Sequence, residues 1–253
     1  MAKKTRKREV VEDEAAEDIL MHNIEISTKK NWFCNFKIHN EFELTDVHRS
    51  FMDLFLYKDT KMVFVDGPAG SAKSYLAVYG ALQLLQKKSV NQIVYIRSIV
   101  ESASKSLGSL PGELQDKFQP WSLPLIEKLD ELVGPKVGGE LIRNNYIKCM
   151  PVNFVRGLTF RDSVVIVDES QNLSSSELTT ILTRFGDNSK YIVIGDSFQS
   201  DIGSKSGFCK IKQVFDNPDS DERGIHNFVF TENEVVRSQI LKFIVKKLEG
   251  VPH

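Results

Sequence analysis

The sequence predicts an α/β fold: a mostly parallel sheet flanked by helices. Three observations predict it. Wholly apolar strand-length runs recur at Met62–Val65, Val164–Val167 and Tyr191–Ile194, and strands without polar alternation belong to sheets covered on both faces. Helix-length segments separate them, as crossover connections require. The first run feeds directly into a glycine-rich loop at Gly67.

Taken in chain order, Asn31–His39 alternates weakly and is expected as a strand. Thr45 reads as the N-cap of a helix through Phe51 and Leu54. Lys61–Asp66 is a buried strand, Ser74–Lys87 a helix and Gln92–Ile96 a second strand. Residues 97–145, punctuated by Pro111, Pro120, Pro124 and Pro135, read as an irregular accessory segment around a helix near Leu123–Val133. Strands are expected at Tyr146–Val152 and Val164–Val167. Ser174 to Glu177 is a capping-box pattern opening a helix that closes near Gly186. Lys190–Gly195 is another buried strand, and a Gly/Ser-rich loop covers Ser197–Gly207. A short strand, Phe228–Phe230, precedes an amphipathic helix over Glu234–Leu248.

With 253 residues, 41% hydrophobic and 26% charged, the chain suits one globular domain, expected over 24–250. Opposite charge blocks, Lys3–Arg8 and then Glu9–Asp18, predict a disordered charged tail over 1–23. The net charge of −1 supplies no global field for nucleic acid, so any such contact uses a local patch. Cys34, Cys149 and Cys209 are dispersed, which argues against a zinc site or disulfide framework and fits a reducing cytoplasm. No apolar run is long enough for a membrane span.

Gly67-Pro68-Ala69-Gly70-Ser71-Ala72-Lys73-Ser74 nearly matches G-x-x-x-x-G-K-S/T. Such a loop turns successive backbone N–H groups toward phosphate oxygens at a helix N-terminus. Lys73 neutralises the β- and γ-phosphates, and the Ser74 hydroxyl ligates Mg²⁺. Ala72 stands where the pattern has its second glycine. Either φ stays negative there or affinity suffers, because alanine tolerates positive φ poorly. Asp168 and Glu169 end the strand Val164–Val167. That places Asp168 to hold Mg²⁺ and Glu169 to polarise an attacking water, which favours hydrolysis over transfer to an acceptor, as in a small-molecule kinase. Gln199, in Gly195-Asp196-Ser197-Phe198-Gln199, is placed to sense the terminal phosphate.

GPAGSAKSYLAV, RSIVE, LGSLPGEL, RGLTF, VDESQN, LTRFG-x-x-SK, GDSFQSD and VVRS fall in one order over about residues 40–248. Together they resemble the PhoH-like family of P-loop ATPases, in its phage-encoded branch. That family is similar to the first motor domain of superfamily-1 helicases. The resemblance implies a RecA-like P-loop fold, ATP and Mg²⁺ as cofactors, hydrolysis, ring-shaped homo-oligomers with a hexamer expected, a role in RNA metabolism, and a cytoplasmic location (host cytoplasm if phage-encoded). Where the related helicases use a glutamine ahead of the P-loop to read adenine, this chain offers His48.

Only one such domain fits in the chain, so an arginine finger must come from a neighbouring copy. Arg237 is the first candidate and Arg184 the second. Arg97, Lys105, Lys117, Phe118 and Trp121 interleave positive charge with aromatic faces, the combination that grips single-stranded nucleic acid, and Arg156 and Arg161 are expected to join them. An ATPase switch acting on a protein, such as a nuclease or ribosome factor, is the alternative to an RNA or single-stranded DNA motor.

Overall fold

The computed structural model describes residues 36–40, 43–98 and 114–236, with 240, 243, 244 and 247; over 114–121 the description is of backbone alone. The expected tail and most of the C-terminal helix lie outside the described residues. Helix α1 (Asp46–Leu56) precedes β1 (Met62–Asp66), α2 (Lys73–Gln86) and β2 (Gln92–Arg97). Then come α3 (Leu114–Val133), α4 (Pro135–Arg143), β3 (Ile147–Pro151) and β4 (Ser163–Asp168). The described part ends with α5 (Ser175–Leu182), β5 (Lys190–Gly195), α6 (Phe208–Val214), α7 (Pro218–Glu222) and β6 (Ile225–Val229).

All six strands are parallel, in the order β3-β2-β4-β5-β1-β6. Every residue of β1, β4 and β5 is buried, which explains their unbroken apolar runs. The parallel arrangement carries Asp66, Arg97, Asp168 and Gly195 to one rim of the sheet, where open α/β sheets place their ligands.

Both expected N-caps form, each as a capping box. Thr45 accepts from the His48 N–H, and His48 Nδ1 accepts in return from the Thr45 N–H at 3.2 Å. Ser174 and Glu177 do the same at α5, which ends at Leu182 rather than near Gly186.

Three expectations are corrected. Residues 36–40 carry no regular secondary structure, so the strand expected at Asn31–His39 is not seen in its described part. Within the segment expected to be irregular, the helix expected near Leu123–Val133 is present but begins already at Leu114, and a second helix of 9 residues follows it. Pro120 and Pro124 lie inside α3 because Leu125, Leu129, Leu132 and Val133 repeat at helical spacing and are all buried. Burying four such side chains at about 1.5–3 kcal/mol each outweighs the lost N–H donors. The last strand runs from Ile225 to Val229, not Phe228 to Phe230, and α6 and α7 occupy the stretch before it, for which no element was expected.

Candidate nucleotide site

The P-loop leaves β1 in a sharp turn. Gly67 has φ +151, and a Cβ there would meet the Phe230 carbonyl oxygen at 2.7 Å, so the residue must be glycine. The Phe230 N–H donates to Asp66 O at 2.8 Å, and the Val236 N–H donates to Gly70 O at 3.1 Å. The chain after β6 therefore straps the loop from one side. Ala72 adopts φ 64, ψ 13. The loop does not avoid the left-handed region here, and alanine bears a strain of roughly 1–2 kcal/mol that glycine would not.

Lys73 Nζ donates to Gly67 O (2.6 Å) and Pro68 O (2.7 Å). Burial pulls its pKa down, while the carboxylates of Asp196, Asp168, Glu169 and Asp66 oppose that pull. Although β5 lies between β1 and β4, the Ser74 hydroxyl reaches Asp168 Oδ1 at 2.7 Å. The second Asp168 oxygen accepts from the phenol of buried Tyr95 on β2. Burial, then the Asp168 charge and hydrogen bond, push the phenol well above its ordinary value, so it stays a donor.

Lys73, Ser74 and Asp168 line a cavity of about 620 Å³ together with Glu169, Gln171 and Gln199. Glu169 follows β4 with a left-handed backbone, φ 54. Gln171, nearly buried, donates from Nε2 to Glu169 Oε2 at 2.7 Å and accepts the Asp196 N–H at Oε1 (3.2 Å). Behind the P-loop, Asp66 accepts from Lys212 and from the Ser197 hydroxyl and N–H. Burial would raise the Asp66 pKa, but the Lys212 and Ser197 bonds outweigh it and hold the carboxyl below its usual range.

The donor set suits a phosphate chain with a divalent ion. A glycine-bent loop supplies N–H groups, Lys73 a positive charge, and Ser74 and Asp168 paired oxygen ligands for Mg²⁺.

Several expected residues land elsewhere. His48 is fully buried behind the loop, spends Nδ1 on the capping box and packs on Phe230 with ring centroids 5.4 Å apart. It is absent from the cavity wall. Arg97, expected in a nucleic-acid groove, lines this cavity instead, its guanidinium 3.7 Å from Glu169 Oε1. Arg184 lies beyond the end of α5, with Nε donating to Thr180 O and its own carbonyl taking the Phe160 N–H. That is the amino end of the sheet, away from its own cavity. Arg161 is there too, 3.8 Å from Asp187, while Arg156 is exposed after β3. Lys105 and Arg237 lie outside the described residues, as do the side chains of Lys117, Phe118 and Trp121.

The sequence reading missed Tyr95 and Gln171. Nothing local marks Tyr95; Gln171 sits two residues past Glu169, within the motif already singled out.

The PhoH-like protein family profile matches residues 44–249. The chain belongs to the PhoH-like family. It is 36% identical over 191 residues to a PhoH-like protein of Bacillus subtilis, covering 75% of this chain and 58% of that one. To a PhoH-like protein of Mycobacterium tuberculosis it is 36% identical over 186 residues, covering 73% and 51%. The chain thus spans little more than half the length of these relatives. Among solved structures it is loosely similar to the large terminase of a thermophilic bacteriophage (TM-score 0.48, 11% identity, 81% of this chain and 49% of that one). Among the described residues, no helix is long and apolar enough to cross a membrane.

Proposed function

We propose that this PhoH-like chain hydrolyses ATP with Mg²⁺. The observation that carries the reading is the Ser74–Asp168 contact of 2.7 Å, made in one cavity with Lys73 and Glu169. Mg²⁺, when bound, neutralises phosphate charge and fixes the triphosphate geometry. Ser74 and Asp168 would hold it, with Tyr95 aiming the Asp168 carboxylate. Lys73 and the loop N–H groups bind the β- and γ-phosphates. Glu169 orients and polarises water, and Gln199 contacts the terminal phosphate.

The cations described on this cavity's wall are Lys73, Arg97 and Lys128, which supports completion by an arginine from another copy. Arg237 is the first candidate. Arg184, remote from its own cavity, can serve only another copy's site. Family membership supports the reading of a homo-oligomeric ring, a hexamer by resemblance, acting on RNA or single-stranded DNA, and exposed Arg156 supports a nucleic-acid contact. The test is phosphate release from ATP alone, with RNA and with single-stranded DNA, on protein sized for oligomeric state. Release without any acceptor, stimulated by one nucleic acid at low salt, is the expected result. ATPase indifferent to both nucleic acids removes the motor reading, and release that requires a phosphate acceptor turns the reading to a kinase.

A further inference from the structure

We infer that Arg97 and Gln171 are positioning residues that fix the Glu169 carboxylate and tie it to the loop following β5. The inference rests on the ATPase reading of the cavity.

Glu169 is poorly held by its own backbone. Its φ of 54 is a region that residues with a Cβ avoid, so neighbouring contacts must impose it. Both carboxylate oxygens have such a neighbour. Oε2 takes the Gln171 amide at 2.7 Å, and Oε1 faces the Arg97 guanidinium at 3.7 Å. Arg97 can do this because β2 and β4 pair in register, Arg97 beside Asp168, one residue short of Glu169.

Gln171 has only one satisfactory orientation. Its NH₂ must meet a carboxylate and its oxygen must meet the Asp196 N–H. Among uncharged side chains of this length, only an amide donates at one atom and accepts at the other. Asp196 opens the turn that carries Gln199, whose N–H donates to Asp196 O at 3.2 Å. The Ser170 hydroxyl adds a second tie to the same strand through Ile194 O (2.5 Å). A displacement of Gln199 at the terminal phosphate therefore reaches Glu169 through three hydrogen bonds. Arg97 keeps the carboxylate from turning away, and its charge offsets the crowding of Glu169 with Asp168 and Asp196. Both residues act through Glu169.

The experiment compares Arg97→Met, Arg97→Lys and Gln171→Met in the wild-type and Glu169→Gln backgrounds. It measures the affinity of a fluorescent ATP analogue with Mg²⁺, and the single-turnover hydrolysis rate. In the wild-type background, Arg97→Met and Gln171→Met are expected to keep nucleotide affinity and lose about 10–100-fold in rate. Arg97→Lys, retaining the charge, recovers part of that loss. In the Glu169→Gln background, the same changes leave the residual rate unaltered, because the group they position is gone. An unchanged rate for Arg97→Met overturns the inference. So does a further full loss in the Glu169→Gln background, and so does lost nucleotide affinity, which would make Arg97 a phosphate ligand. If Gln171→Met fails to fold, the Arg97 pair decides the matter alone. The ATPase reading fails separately, through wild-type hydrolysis in Glu169→Gln itself.

Discussion

Two lysines, half-buried Lys73 and buried Lys190, occupy opposite ends of the sheet and look alike at first. Lys73 Nζ donates to two loop carbonyls, and Lys190 Nζ donates to the carbonyls of Phe55 and Tyr57, each at 2.7 Å. Burial depresses both. Their surroundings differ. Four carboxylates oppose the loss of the Lys73 proton, whereas Lys190 has Lys61 nearby, which deepens the depression to about 8, and Asp59 to resist it. At the carboxyl rim the ammonium is kept charged beside a cavity. At the amino end the lysine caps the last turn of α1, a favourable role at a helix C-terminus. Neither burial nor hydrogen bonding separates a site from a brace here; the neighbouring charges do.

The largest expected effect tests that division. Lys73→Ala is expected to lower ATP hydrolysis on the order of 10²–10³-fold, the scale of one lost charge-stabilising group. Its melting temperature stays near wild type, because water in the cavity can reach the freed carbonyls. Lys190→Met is expected to reverse the pattern, with turnover intact and stability down by about 1–3 kcal/mol for each carbonyl left unpaired. Urea titration and steady-state kinetics on both proteins check it, and a turnover defect in Lys190→Met breaks the comparison.

A smaller effect follows from proton linkage at Lys190. With a folded pKa of about 8 against 10.5 for the free side chain, the unfolded chain binds more protons between those values. Stability therefore rises with pH across that window. The neutral amine still has two N–H donors for its two carbonyls, so the cap survives deprotonation. Urea midpoints at pH 7.5 and 10, taken for wild type and Lys190→Met, are expected to show a rise that the variant lacks. An equal rise in both assigns it to other groups.

The smallest effect concerns strain. Left-handed residues at the amino end are Lys88, Asn145, Asp162 and Asn188, three of them Asn or Asp, types that tolerate the region, whereas the carboxyl rim uses Ala72 and Glu169. Ala72→Gly is expected to stabilise the fold by about 1 kcal/mol, read by thermal melting. No gain would mean the loop already accommodates the methyl group.

How much of this was legible in sequence follows from how locally each feature is encoded. The P-loop, Asp168 and the Gly195–Gln199 turn sit at the ends of strands buried on both faces, so apolar runs located them. Tyr95 escaped because its partner Asp168 is 73 residues away, a pairing set only by the register of β2 against β4. Arg97 read as the start of a basic segment, since nothing in sequence says that Glu169 lies across the rim from it. His48 has the right distance from the P-loop for a base contact, but the Thr45 cap claims it. The first turns of helix α3 were obscured by Pro120 and Pro124, whose penalty is local while the compensating burial of Leu125, Leu129 and Leu132 is tertiary. Helices α6 and α7, of 7 and 5 residues, are too short for periodicity to declare.

The strap across the P-loop has a mechanical meaning. Gly67 is pinned by the chain passing at Phe230, and Gly70 takes its hydrogen bond from Val236. The loop is thus clamped at two points by backbone beyond the last strand, and the clamp and the cavity share Val236. Backbone alone couples the phosphate loop to the segment after β6, with no side chain needed in between.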